Sequence, residues 1–164
     1  MKNGLVILDS GPIFSLASVN RLEMLDSLFD KAVIPKAVWQ EITFHQTTES
    51  YEIIERFLEK RVVEIEGFNE LSFIMDYGDS EALILYRQLK ADFLLIDDKK
   101  ARSIAENSKI NCIGTLGILI PARRRNFIKD LRPIFKGFLE NKRYYSIGLL
   151  NEVLKTFDEE LLND

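Results

Sequence analysis

The chain has 164 residues, 46% of them hydrophobic and 29% charged, and a formal net charge of −4. This is the length of one domain, and the ordinary composition excludes a disordered or low-complexity protein. A single cysteine, Cys112, and a single histidine, His45, exclude an internal disulfide and a structural zinc site. The apolar run at residues 5–8 is far too short to cross a bilayer, and the Met-Lys-Asn-Gly start lacks a secretory pattern. We therefore expect a cytoplasmic protein with no membrane association.

The first half of the chain alternates apolar strands with helical patterns. Residues 5–8 are continuously apolar, which is typical of a parallel strand covered on both faces. Helical spacing follows over residues 13–17 and 22–28, and residues 32–34 predict a second short strand. Pro35 suits the first position of a helix that extends to about Phe44. A further helix is predicted over residues 49–60 and a strand over residues 62–65.

The second half repeats this strand-then-helix order. A helix that starts at Gly78-Asp79-Ser80 is followed by strands at residues 93–96 and 111–113, with a helix at 99–106 between them. A helix from Thr115 should be bent or interrupted at Pro121. Two amphipathic helices complete the chain, at 126–141 with a kink near Pro133 and at 147–158.

The order of these elements predicts the fold. Repeated strand-then-helix units imply a mostly parallel sheet with helices on both faces. We therefore predict a single three-layer α/β/α domain over residues 1–164, with the C-terminal helices at about 126–160 packed on the same core.

Four acidic residues carry the strongest functional signal. Asp9 and Asp98 each end an apolar strand, Glu81 opens a helix, and Glu41, which could also be an ordinary solvated residue, lies inside another. If the two strands are parallel neighbours, these carboxylates gather where an open α/β sheet binds its ligand. Their mutual repulsion would be relieved by a cation, and carboxylate oxygens suit hard divalent ions. The sequence thus predicts a Mg²⁺ or Mn²⁺ site.

Simpler explanations for several acids stay open at this point. Asp9 could cap the helix that follows it, and Asp79 is more often a helix cap than a ligand. Glu81 lies in the first turn of a helix, where the macrodipole alone favours an acid. Asp97 and Asp98 point to opposite sides of an extended chain, and we choose Asp98 as the one that faces the metal.

Basic residues beside the acids modify what the net charge implies. An acidic chain would ordinarily not bind a polyanion. Lys99, Lys100 and Arg102 directly follow Asp98, however, and a second basic cluster lies at residues 123–132. Solvated helix faces would explain both clusters, but a phosphodiester substrate would also need cations next to a metal site. His45 could reach the metal or substrate only if its loop folds back over the site.

Other α/β enzymes fit these motifs poorly. Phosphoaspartyl hydrolases of the haloacid-dehalogenase type require Asp-x-Asp after the first strand, where this chain has Asp9-Ser10-Gly11. Receiver domains require an acidic pair at the same place. The sequence contains no P-loop, no dinucleotide-binding glycine motif and no nucleophile elbow.

Five segments occur in a specific order along the chain: Val6 to Gly11, Ile34 to Glu41, Gly78 to Leu83, Leu94 to Arg102, and Gly114 to Gly117. Together they resemble a PIN domain, the nuclease fold of many bacterial and archaeal toxins of toxin-antitoxin pairs. They look most like a branch with Asp-Ser-Gly, Pro-x-x-Val-x-x-Glu, Gly-Glu-x-Glu-Ala and Asp-Asp segments. Asp79 stands where that branch usually has glutamate.

The resemblance implies a metal-dependent endoribonuclease that uses Mg²⁺ or Mn²⁺. The catalytic and metal-binding acids it implies are Asp9, Glu41, Glu81 and Asp98, with Asp79 and Asp97 as further candidate ligands. Ser10 and Thr115 match hydroxyl positions near the metals. Lys99, Lys100 and Arg102 would hold flanking phosphates of the RNA.

The resemblance also implies partners. PIN-domain toxins suggest a homodimer and a small antitoxin protein that covers the cleft. Two alternatives stay open: a non-catalytic RNA- or protein-binding module that keeps only the fold, and a structure-selective DNA nuclease with the same chemistry.

Overall fold

A computed structural model describes residues 2–44 and 49–163 of the chain. His45 and the three residues after it lie outside the described residues, so the prediction for His45 is not tested. Within the described part, five strands form one all-parallel sheet in the order β3-β2-β1-β4-β5. The strands are β1 (Leu5–Leu8), β2 (Lys31–Pro35), β3 (Val62–Val63), β4 (Phe93–Leu95) and β5 (Cys112–Ile113).

Helices connect the strands and cover both faces of the sheet. A short 3-10 helix (Glu70–Phe73) precedes α5. The helices of the described residues are α1 (Ser10–Ser18), α2 (Met24–Leu28), α3 (Lys36–Phe44), α4 (Tyr51–Leu58), α5 (Tyr77–Gln88), α6 (Lys99–Asn107), α7 (Thr115–Arg124), α8 (Arg132–Glu140) and α9 (Ile147–Lys155). Over residues 2–44 and 49–163, no helix combines the length and the apolar character needed to cross a membrane.

The sheet separates two hydrophobic cores. Successive strand residues point to opposite faces, so Val6 and Leu8 of β1 enter the larger core, with side chains of α1, α4, α7, α8 and α9. Ile7 enters the smaller core, with side chains of α5 and α6. Phe135 and Phe138 of α8 are fully buried in the larger core. This arrangement confirms the predicted three-layer α/β/α fold.

The strand order determines where a ligand can bind. β1 pairs with β2 on one side and with β4 on the other, so the chain leaves the centre of the sheet in opposite directions. In open α/β sheets, such a reversal creates a crevice at the carboxyl ends of the strands. Here that crevice lies where β1 and β4 end, directly before Asp9 and shortly before Asp98.

The structure differs from the sequence predictions at two prolines. Pro121 does not interrupt α7, which continues to Arg124, and the N–H of Arg125 still donates to the carbonyl of Pro121 at 3.0 Å. Pro133 does not kink a helix that begins at residue 126. It stands in the first turn of α8, which begins only at Arg132, where a missing N–H removes no helical hydrogen bond.

Candidate active site in an acidic cleft

A cleft of about 500 Å³ opens at the carboxyl ends of β1 and β4. Its walls come from the loop after β1, from α3, from the start of α5 and from the end of β4. We call it the acidic cleft, because five of its lining residues carry a carboxyl group: Asp9, Glu41, Asp76, Asp79 and Asp98. Three of the four acids that the sequence predicted as catalytic therefore line one cleft.

Asp9 is the most buried of these acids. Its N–H donates to the carbonyl of Leu95 at 3.0 Å, which ties the end of β1 to β4. Asp9 is only 5% exposed to solvent. Burial and the negative charge of Asp79 raise the pKa of Asp9 to about 8, although the N–H groups of Ser10 and Gly11 act in the opposite direction. Without a cation, Asp9 thus keeps its proton at neutral pH.

Asp79 shares that proton. Burial and the charges of Asp98 and Asp76 raise the pKa of Asp79 to about 6, while a hydrogen bond with Asp9 lowers it. The raised pKa of Asp9 and the lowering effect of this bond on the pKa of Asp79 are both explained if protonated Asp9 donates to the carboxylate of Asp79. Asp79 therefore contacts an acid of the cleft and does not cap α5, whose N-cap residue is Asp76.

Glu41 reaches the cleft from the second turn of α3. The hydroxyl of Ser10 donates to Oε1 of Glu41 at 3.0 Å, so Ser10 fixes one of the acids directly. A Cβ atom at Gly78 would lie 3.0 Å from Oε2 of Glu41. The start of α5 can approach Glu41 this closely because residue 78 has no side chain.

The adjacent acids after β4 have different surroundings. Asp98 lines the acidic cleft while its Oδ1 accepts from the N–H of Ala101 at 2.8 Å and so caps α6. Asp97 instead accepts from the N–H and the hydroxyl of Thr115, at 2.8 and 2.7 Å, and from the hydroxyl of Tyr145 at 2.8 Å. Asp97 and Thr115 therefore join the end of β4 to α7 and do not line the acidic cleft.

Glu81 is not brought to the acidic cleft, in contrast to its predicted role. It is 6% exposed, and its Oε2 accepts from the N–H of Ala37 at 2.9 Å, at the start of α3. Positions 79 and 81 are separated by about 200° around a helix, because each residue turns it by about 100°. When Asp79 faces the cleft, Glu81 lies on another side of α5, and its hydrogen bond to Ala37, which lines the cleft, gives Glu81 a role in positioning α3.

Sequence reasoning missed Asp76. It precedes α5 and lies three residues before Asp79, a spacing that places two side chains on the same side of a helix start. That spacing could have indicated from the sequence that Asp76 lies on the same side as Asp79. Of the basic residues predicted to hold phosphates, Lys99 and Arg102 line a neighbouring groove, whereas the exposed Lys100 lines neither cavity.

The chemistry of the acidic cleft suits a hard divalent cation, because its donors are carboxylate oxygens crowded against one another. The proton shared by Asp9 and Asp79 reduces the repulsion between their carboxyl groups. A bound cation would reduce the same repulsion. As the side chains stand, however, no three acidic, histidine or cysteine residues in the described ranges are close enough together to hold an ion. The donor types fit a metal, and the ligand geometry is not formed in this structure.

The fold and the cleft define an α/β protein with an acidic site at the switch point of a parallel sheet. The sequence matches the PIN-domain family over residues 5–159, and the chain belongs to this family. PIN domains are generally nucleases, and they typically use divalent metals. A comparison with curated proteins found no match.

Proposed function

We propose that this PIN domain is a metal-dependent endoribonuclease whose metal site is formed by Asp9, Glu41, Asp79 and Asp98. The observation that carries the proposal is the meeting of these four acids in one cleft, at the place where a parallel sheet binds its ligand. Asp79 takes the place of Glu81 in the predicted set of metal ligands, because Asp79 lines the cleft and Glu81 does not.

The residues of the cleft have separate tasks in this proposal. When bound, Mg²⁺ or Mn²⁺ supplies positive charge that lowers the pKa of a water molecule and neutralises charge on the phosphodiester. Asp9 and Asp79 would act as carboxylates when a cation is bound in the cleft, because its positive charge would lower the pKa of both. Ser10 keeps Glu41 oriented, and the cap on α6 keeps Asp98 oriented.

Cleavage of labelled RNA tests the proposal. Wild-type protein is expected to cut with Mn²⁺ or Mg²⁺ and not with EDTA, whereas Asp9→Asn and Asp98→Asn abolish cutting. Asp130→Asn is the matched control, because Asp130 is an exposed acid outside the cleft. Circular dichroism verifies that each variant folds. Cutting that survives in Asp9→Asn would remove this residue from the mechanism.

Metal binding is tested separately by thermal unfolding. A ligand that binds only the native state raises its stability, by about 2.7 kcal/mol at a concentration of about 100 times Kd. We expect Mn²⁺ to raise the Tm of wild-type protein and of Asp130→Asn, but not that of Asp98→Asn. Absence of both cutting and Mn²⁺ stabilisation in wild-type protein would favour the non-catalytic module.

The substrate and the partners belong to the same proposal. RNA is chosen over DNA from the family resemblance, and single-stranded DNA in the same assay tests that choice. The resemblance also supports a homodimer and a toxin role with a small antitoxin partner. Sedimentation of the purified chain tests the dimer, and a small DNA-binding protein encoded by the adjacent gene would support the toxin role.

A further inference from the structure

A second cavity of about 570 Å³ lies beside the acidic cleft and shares Asp98 with it. We call it the basic groove. Three of its lining residues are cations: Lys99 and Arg102 from the first turn of α6, and Arg143 from the segment between α8 and α9. The chain as a whole has a net charge of −4, so the basic groove is a local positive region beside a cluster of acids.

The acids that line the basic groove form no ion pair with these cations, although Arg102 is paired at 2.8 Å with Glu106, which lies outside the groove. Asp97 accepts three hydrogen bonds from Thr115 and Tyr145. Arg143 is bound only by neutral acceptors, the hydroxyl of Ser15 at 2.9 Å and the carbonyl of Gly11 at 3.1 Å, and it has no ion pair with any residue that the structure describes. The guanidinium is thus fixed in place with its charge available for an anion.

Tyr144 adds an aromatic ring to the rim of the groove. It is 98% exposed, although its neighbours on both sides are anchored. The N–H of Arg143 donates to the carbonyl of Phe138 at 2.8 Å, and the ring of Tyr145 packs 4.9 Å from that of Phe138. The backbone that carries Tyr144 is therefore held, and its ring is presented to solvent.

Proteins that bind single-stranded nucleic acids commonly use a fixed cation beside an exposed aromatic ring. The cation binds phosphates, and a base stacks on the ring. We propose that the basic groove binds the single-stranded RNA on one side of the bond cleaved in the acidic cleft, with phosphates on Arg143 and Lys99 and a base on Tyr144. The inference rests on the proposed nuclease function. It assigns substrate binding to the segment between α8 and α9, which carries none of the acids.

The test is the affinity for a short, unstructured, fluorescently labelled RNA, measured by anisotropy in EDTA so that no cutting occurs. Tyr144→Ala is expected to weaken binding about tenfold, whereas Tyr144→Phe keeps the ring and binds as wild type does. Phe127→Ala removes another exposed ring, outside the groove, and should not change the affinity. Because Tyr144 is almost fully exposed, these variants test the groove without risk to the fold.

A second pair of variants tests the charge. Arg143→Gln should weaken binding several-fold and reduce the slope of log Kd against log salt by about 0.7, the value for one phosphate contact on a single strand. Arg87→Gln removes an exposed arginine at the opposite end of α5 from the acidic cleft and should leave the slope unchanged.

The two proposals fail in different ways. Equal affinities of Tyr144→Ala, Arg143→Gln and their controls, or no binding by wild-type protein, would overturn the groove while wild-type protein still cuts RNA. Failure of the proposed function appears instead as wild-type protein that does not cut RNA with Mn²⁺ or Mg²⁺. Weaker binding and slower cutting by Tyr144→Ala, both restored in Tyr144→Phe, would support the groove.

Discussion

Asp9 is a nearly buried acid whose charge is opposed by two other acids, Asp79 and Glu41. In an unfolded chain, Asp9 and Asp79 titrate near the ordinary pKa of 3.8, whereas in the folded protein their pKa values are about 8 and about 6. Between these pH values the folded state binds more protons than the unfolded state. The stability of the metal-free protein is therefore expected to fall as the pH rises from about 4 to about 8.

The variant Asp79→Asn tests this pH dependence. It removes a charge that opposes ionisation of Asp9, so at pH 8 it should raise the free energy of unfolding of metal-free protein by about 1 to 2 kcal/mol. At pH 5, between the unfolded pKa of 3.8 and the native pKa of about 6, about half of this effect should remain. Urea unfolding in EDTA at both pH values measures the difference. The same change at both would contradict the assigned repulsion.

The variant Glu81→Gln tests the placement of the acid that lies away from the cleft. Glutamine keeps an oxygen for the N–H of Ala37 but loses the charge at the start of α3, so we expect a loss of about 1 kcal/mol of stability. The rise in Tm with Mn²⁺ should be retained. Loss of that rise in a folded Glu81→Gln protein would return Glu81 to the metal ligands.

At this scale, the acids predicted at strand ends line the acidic cleft, whereas the acid predicted within α5, Glu81, does not. Asp9 and Asp98 could be placed because the end of a parallel strand has a defined position in the fold. The choice between Asp79 and Glu81 depended on the rotation of α5. Both positions satisfy the motif, and tertiary packing selects the face.

At the scale of elements, the segment between α8 and α9 forms hydrogen bonds with residues that lie far away in the sequence. Arg143 donates to Ser15, and the hydroxyl of Tyr145 contacts both Ser15 and Asp97, at 3.1 and 2.8 Å. A carboxylate only accepts and a guanidinium only donates, so the chain of donation runs from Arg143 through Ser15 and Tyr145 to Asp97. Burial and the charge of Asp97 raise the pKa of Tyr145 to about 12, so its hydroxyl stays protonated.

The variant Tyr145→Phe should therefore destabilise the protein. It removes the hydroxyl from a hydrogen-bonded network that includes a carboxylate, and we expect a loss of about 1 to 2 kcal/mol in urea unfolding. Tyr144→Phe makes the same chemical change next to it, at an exposed side chain, and should stay within about 0.5 kcal/mol of wild type. Equal effects of the two variants would show that the network does not stabilise the fold.

The boundaries of elements were predictable to different degrees. Continuous apolar runs indicated the strands, because a parallel strand buried on both faces needs no polar alternation. Pro133 was misjudged because a proline in a first turn and a proline that kinks a helix look alike without the position of the helix start. The segment at 141–146 has no periodic pattern, so its contacts with distant residues left no signal in the sequence.

For the whole molecule, the two cores have the sheet in common. The strands contribute alternate side chains to both cores, so loss of one core should expose the other. We expect a single unfolding transition in urea, with coincident curves from far-ultraviolet circular dichroism and from the fluorescence of Trp39, the only tryptophan. Separate curves would divide the chain into two units, against the expectation of one domain.

The bonds between Arg143 and the loop and helix after β1 have a consequence for how the protein is made. Arg143 follows Ser15 by 128 residues and Gly11 by 132. A ribosome therefore completes all the acids of the cleft well before it adds the arginine and tyrosine that brace their surroundings. The nascent chain carries its reactive groups first and gains the brace only after residues 143–145 have been added, while it is bound to a ribosome that contains the class of molecule we propose it cuts.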